Sequence, residues 1–127
     1  MDQERRRSMR IPIRLMVVFR NLNSGKVQRT LTKDIGGDGM CLITEGALEP
    51  GTKLEVEIKL PDRDLPTTAV TEVMWSRSVV EPRKSYELPT AETGMKFVRI
   101  DQKDVALIMQ YAMLNALPPE LGGPVDL

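Results

Sequence analysis

The sequence predicts an all-β fold, a mainly antiparallel β-barrel of about six strands followed by a C-terminal α-helix. Three observations carry that reading. Apolar and polar residues alternate in short runs between residues 11 and 100, the period-two signature of strands that bury one face. Clusters of glycine, proline and asparagine separate the runs, as tight turns require. After Asp101 the apolar period lengthens to that of a helix, and short antiparallel strands ending in one helix close into a capped barrel.

Ile11, Ile13, Leu15, Val17 and Phe19 fall on one side of a first strand, with Arg14 and Arg20 on the other. Asn21 to Lys26 (NLNSGK) has turn chemistry, with Gly25 suited to positive φ. A second strand runs from about Val27 to Ile35, Gly36–Gly39 (GGDG) is a loop, and Met40 to Thr44 is a third strand. Residues 45–52 form a loop with a Pro-Gly turn. The strictest alternation follows: Leu54, Val56, Ile58 and Leu60 point inward, and Lys53, Glu55, Glu57 and Lys59 outward. A turn over Pro61 to Pro66 leads to a long strand from about Thr67 to Val80, residues 81–91 form a flexible hairpin loop, and the last strand covers about Glu92 to Ile100.

Asp101 takes the N-cap of the helix, with Asp104 in its first turn. Val105, Ile108, Met109 and Ala112 mark one face, and Leu107, Tyr111, Leu114 and Leu117 a second. No charged residue lies between Val105 and Leu117, whereas a helix with one side in water carries a charged stripe. The expectation is that the helix Val105–Leu117 meets a downstream protein or a second copy of the chain. The domain plan is thus a flexible arginine-rich arm over residues 1–10, a barrel plus helix over 11–117 and a disordered tail over 118–127.

At 127 residues the chain has room for one domain with its own core. No apolar run approaches the length of a membrane span, and the charged N-terminus lacks a signal-peptide core. With the single cysteine, Cys41, this points to the cytoplasm. Histidine is absent and cysteine is unpaired, which removes the commonest general base and the common zinc motifs. The expectation is a protein that is not an enzyme, with no metal and no cofactor. Net charge is zero, yet residues 1–20 hold six arginines against Asp2 and Glu4. A basic arm on a mildly acidic body fits a local anion site better than a surface that coats nucleic acid.

Two segments carry the chemistry. ERRRSMR places Arg5 and Arg6 side by side and Arg10 four positions after Arg6. In an extended arm those positions do not share a face, so the arm must curve round its target. Guanidinium forks suit phosphate oxygens and the O6/N7 edge of guanine, and a guanine dinucleotide offers both. By itself this segment also reads as a solvated basic tail. The second segment, DIGGDG at residues 34–39, reads first as a glycine-rich turn with Asp38-Gly39 as a positive-φ pair. It has too few carboxylates for a calcium loop. Asp34 can also accept from a guanine N1/N2 edge or hold an arm arginine, and the glycines beside it admit a flat ring close to the backbone.

Together the two segments resemble the PilZ domains, a family that binds cyclic di-GMP through RRxxxR followed by [D/N]xSxxG. Arg5, Arg6 and Arg10 match the first motif; Asp34 and Gly39 match the second, with Gly36 where the family usually has serine. VMWSR around Trp75, the strand ETGMKFVRI and the C-terminal helix extend the resemblance over roughly residues 4–117. It implies a bacterial receptor for this second messenger that changes conformation on binding, and so regulates an output such as motility, exopolysaccharide or biofilm formation. Arg6 and Arg10 would be its main clamps, Arg5 a supporting one, Asp34 a polar anchor, and Gly39 the residue that shapes the turn. Gly36 would sit at the ligand without the serine hydroxyl, a loss of about 0.5–1.5 kcal/mol. Trp75 would either stack on a base or belong to the core. Two other readings remain in view: a PilZ-like adaptor that acts by protein contacts with weak or no cyclic di-GMP binding, and a nucleic-acid-binding barrel. The second is disfavoured by the shortage of aromatics, since the chain has two Tyr and two Phe besides Trp75.

Overall fold

The computed structural model describes residues 9–79 and 90–118. Its strands are β1 (Ile11–Pro12), β2 (Met16–Asn21), β3 (Val27–Ile35), β4 (Gly39–Thr44), β5 (Lys53–Lys59), β6 (Thr67–Ser78) and β7 (Ala91–Arg99), followed by the helix α1 (Gln102–Leu114). The sheet runs β1-β3-β2-β5-β6-β7-β4, and β3 also pairs with β4. The ring β3-β2-β5-β6-β7-β4 is therefore closed, a six-stranded antiparallel barrel with β1 as an extra strand on the end of β3. Closure pairs β3 with β4 along the ring, and open strand edges otherwise invite aggregation.

The inward sets anticipated from the alternation form the core. Ile11, Ile13, Leu15, Val17 and Phe19 are buried together with Leu54, Val56, Ile58 and Leu60. The first strand departs from expectation in one way: it is two strands, broken at residues 13–15. Pro12 has no N–H for the ladder, and Thr32 bridges the break. Its hydroxyl accepts from the Leu15 N–H at 2.9 Å and donates to the Ile13 carbonyl at 2.6 Å. Because this bridge replaces ladder bonds, the side-chain alternation survives the interruption.

The turns follow their sequences. Gly25 has φ +81°, and Gly51, after Pro50, has φ +91° with the Thr52 N–H bonded to the Glu49 carbonyl at 3.1 Å, a type II turn. In the Gly36–Gly39 loop the Gly36 N–H donates to the Gly39 carbonyl at 2.8 Å. Asp38-Gly39 is not a positive-φ pair, since Gly25, Gly46 and Gly51 are the described residues with positive φ. Gly39 serves a different purpose: a Cβ there would strike the Met95 carbonyl of β7, so glycine lets β4 and β7 approach.

The Asp101 carboxylate caps α1 by accepting from the Lys103 N–H at 2.9 Å. The helix stops at Leu114, short of the expected Leu117, and the Leu117 N–H donates to the Pro12 carbonyl at 2.9 Å. Ile108 and Ala112 enter the core; Leu107, Met109 and Tyr111 pack partly buried against it, and Met113 and Leu114 are exposed. Much of the second apolar face thus rests on the barrel itself. Among the described residues no helix is long and apolar enough to cross a membrane. The expected arm (but for Met9 and Arg10), the loop from 81 to 89 and the tail from 119 lie outside the described residues.

Candidate functional site

The site begins with a defect in β3. Between Thr32 and Asp34 the register against β4 slips by one residue. Thr32 and Ile35 both face the core, so the extra residue turns Lys33 and Asp34 together onto the outer surface, as β-bulges do beside functional sites. Asp34 then faces the end of the arm. Arg10 Nη1 donates to Asp34 Oδ1 at 3.0 Å, and Arg10 Nε to Asp38 Oδ1 at 3.4 Å. The Arg10 side chain is only 16% exposed, so this is a built contact and not a surface pair. A guanidinium carries five N–H donors, and two carboxylate bonds leave three for an acceptor arriving from outside.

Gly36 forms the floor under Arg10: a Cβ there would lie 2.8 Å from the Met9 carbonyl oxygen and 3.0 Å from Arg10 Cδ. The ladder carries the site across the barrel. Asp34 pairs with Cys41 of β4, Cys41 with Gly94 of β7, and Gly94 with Trp75 of β6. Three strand spacings separate Asp34 from Trp75, on the order of 14 Å. A second bulge, between Val73 and Trp75, turns Trp75 outward. Its indole covers Gly94, where a Cβ would collide with the ring, and Arg77 Cζ stands 5.6 Å from the ring centroid. Trp75 is 42% exposed and is therefore not a core residue.

Beside this row runs a chain of charge. Glu92 accepts from Lys33 Nζ at 2.7 Å and from Arg77 Nη2 at 3.0 Å. The Lys33 hydrogen bond holds the Glu92 carboxyl below its ordinary range, against the opposing effect of burial, and Arg77 adds to the lowering. Cys41 points outward between the bulged residues and Glu92 yet is buried. Burial pushes its thiol up to about 11, and Asp34 and Glu92 push in the same direction. It is a neutral small side chain, not a nucleophile. Among the described residues no cluster of three or more His, Cys, Asp or Glu is placed to hold a metal.

The structure brings Arg10, Asp34 and Gly36 into one cluster, sets Gly39 at its edge under β7, and puts Trp75 at the far end of the row. Arg5 and Arg6 lie outside the described residues. Sequence reasoning missed Asp38 as a partner of Arg10, although its place inside DIGGDG was a signal. It also missed Lys33, Glu92 and Arg77; Lys33 and Glu92 are 59 positions apart, and no local pattern links them.

The fold and site together define a class: a closed antiparallel barrel whose outer wall holds a largely buried arginine, Arg10, between the carboxylates of Asp34 and Asp38. The PilZ domain family model matches residues 4–114, and the chain belongs to that family. No curated protein is similar enough in sequence to match. Solved structures share the fold at low identity. The Bacillus subtilis inhibitor of motility MotI/DgrA has a TM-score of 0.65 at 20% identity, over 87% of this chain and 50% of that one. MrkH of K. pneumonia, a c-di-GMP-dependent transcription regulatory factor, has 0.67 at 19%, over 87% and 52%. The Escherichia coli YcgR PilZ domain, whose structure contains c-di-GMP, has 0.66 at 17%, over 87% and 92%. The chain spans about half the length of the first two proteins.

Proposed function

We propose that this chain is a receptor for cyclic di-GMP, binding the dinucleotide on the outer wall of the barrel without transforming it and without a cofactor. The observation that carries this reading is the Arg10 guanidinium, fixed by Asp34 and Asp38 at the end of an RRxxxR arm. Arg10 and Arg6 take phosphate oxygens or the guanine O6/N7 edge, with Arg5 in support. Asp34 accepts from a guanine N1/N2 edge, Gly36 and Gly39 keep the loop low beneath the ligand, and Trp75 offers an indole face to a base at the far end of the row. Drawing the arm across this wall changes the surface presented to a partner, a downstream protein or a second copy meeting the helix near Met113 and Leu114. The output is a cytoplasmic one such as motility, exopolysaccharide synthesis or biofilm formation. The structures of PilZ proteins that carry or depend on c-di-GMP support the reading.

Titration calorimetry with cyclic di-GMP tests it, with cyclic di-AMP and GTP as controls. Saturable heat with the guanine dinucleotide alone is expected; no heat at high ligand concentration overturns it. The adaptor reading is favoured by Gly36 and by exposed Met113 and Leu114. It predicts that replacing Arg6 and Arg10 leaves partner binding unchanged, whereas a ligand-gated receptor loses it.

A further inference from the structure

We infer that Gly36 and Asp38 are positioning residues that set the Arg10 fork for its anion, an inference that rests on the outer wall being the cyclic di-GMP site. Gly36 is the position at which this chain departs from the serine of the family motif, and its backbone does not demand glycine, because its φ lies outside the left-handed region. What position 36 supplies is space. A side chain there would meet the Met9 carbonyl oxygen at 2.8 Å, Arg10 Cδ at 3.0 Å and Arg10 Nε at 3.2 Å. The first of these is backbone, so relieving the contact requires the arm itself to move. The loop beneath cannot readily yield, since the Gly36 N–H is tied to the Gly39 carbonyl and Gly39 is pressed against β7.

Arg10 tolerates little displacement. Its Nε–Asp38 contact is already 3.4 Å long, near the limit of a useful hydrogen bond, so lifting the arm by a few tenths of an ångström breaks it first. With Asp34 alone the guanidinium would swing about a single contact. With Asp38 at Nε the fork is held at two points, its plane is fixed, and its remaining donors are set before an anion arrives. Bidentate recognition of phosphate or guanine depends on that plane, and an arginine already ordered loses less freedom on binding. In this chain the glycine and the second carboxylate take the place of the missing hydroxyl: a ligand contact is exchanged for a better-held arginine.

The test is a set of double-mutant cycles with cyclic di-GMP as probe, read by calorimetry. Gly36→Ala and Gly36→Ser are each expected to weaken binding roughly five- to tenfold, and Asp38→Asn about threefold or more. In an Arg10→Lys background, which keeps the charge but not the fork, the same substitutions should each change affinity by less than about twofold. Gly36→Ser binding as tightly as the parent, or losses of equal size in both backgrounds, overturns the inference. A second readout needs no ligand. The Arg10 Nε–Hε resonance should exchange slowly in the parent and broaden in Gly36→Ala and Asp38→Asn; an unchanged resonance overturns the inference. If the parent binds no cyclic di-GMP, the ligand reading fails while this resonance still decides whether Gly36 and Asp38 hold Arg10.

Discussion

Two walls of the same barrel treat charge in opposite ways. Along β5 the alternation is unbroken: Leu54, Val56 and Ile58 are buried, and Lys53, Glu55, Glu57 and Lys59 stand in solvent. The ion pair on that wall, Arg20 with Glu55, is about half exposed on both sides. On the wall that runs from β3 through β4 and β7 to β6, bulges at Thr32/Asp34 and Val73/Trp75 break the period, and the outward residues Lys33, Asp34, Cys41 and Glu92 beside them are half-buried or buried. There Lys33 and Glu92 are each 17% exposed, and Arg10 is held by two carboxylates. Exposed pairs contribute roughly 0–1 kcal/mol, so the β5 wall is a solubility surface. The other wall keeps its charges partly desolvated, in fixed geometry, where each contact matters more. Irregular pairing is what gathers partly buried charge onto one strand face.

The contrast can be broken by removing one cation from each wall. Arg10→Ala should weaken cyclic di-GMP binding about a hundredfold, the upper range for a charge-assisted contact, while Arg20→Ala leaves the calorimetric affinity within about twofold. Equal losses would erase the distinction. Trp75 gives the next largest effect. Trp75→Ala should cost roughly five- to a hundredfold, given about 1–3 kcal/mol per stacked base. Because it is the single tryptophan, its fluorescence should change on titration, and a flat signal would remove it from the site.

The smallest effect is on stability. Glu92→Gln should lower unfolding free energy by about 1–2 kcal/mol, since it weakens two charge-assisted bonds, and Glu55→Gln by less than about 0.5 kcal/mol. Glu92 has a lowered pKa in the folded protein, so its contribution is complete above its ordinary value of 4.5 and is lost as pH falls through the lower folded value. Tm measured down through that window should fall less steeply in Glu92→Gln than in the parent; an identical slope would deny Glu92 this role.

Much of the barrel was legible because burial on one face writes itself into the alternation, most plainly at Lys53 to Leu60. The split of the first strand was signalled by Pro12 and overlooked, since the alternation runs through it. The bulges were harder: Thr32 and Ile35 are both inward at an odd spacing, and β6 advances two residues from Val73 to Trp75 while β7 advances one from Met95 to Gly94, but only pairing shows which residue is extra. Asp34 and Arg10 were readable as a motif. Asp38 was read as turn chemistry because its partner lies 28 positions away. The Lys33–Glu92–Arg77 chain has no sequence signature, because strand register and not spacing brings those residues together.

Amide and indole chemical shifts during a cyclic di-GMP titration test the central claim most directly. Asp34, Gly36, Cys41, Gly94 and the Trp75 indole N–H should move in saturable fashion while Lys53 to Lys59 stay still. Shifts confined to β5 or to the helix, or none at saturating ligand, would contradict it.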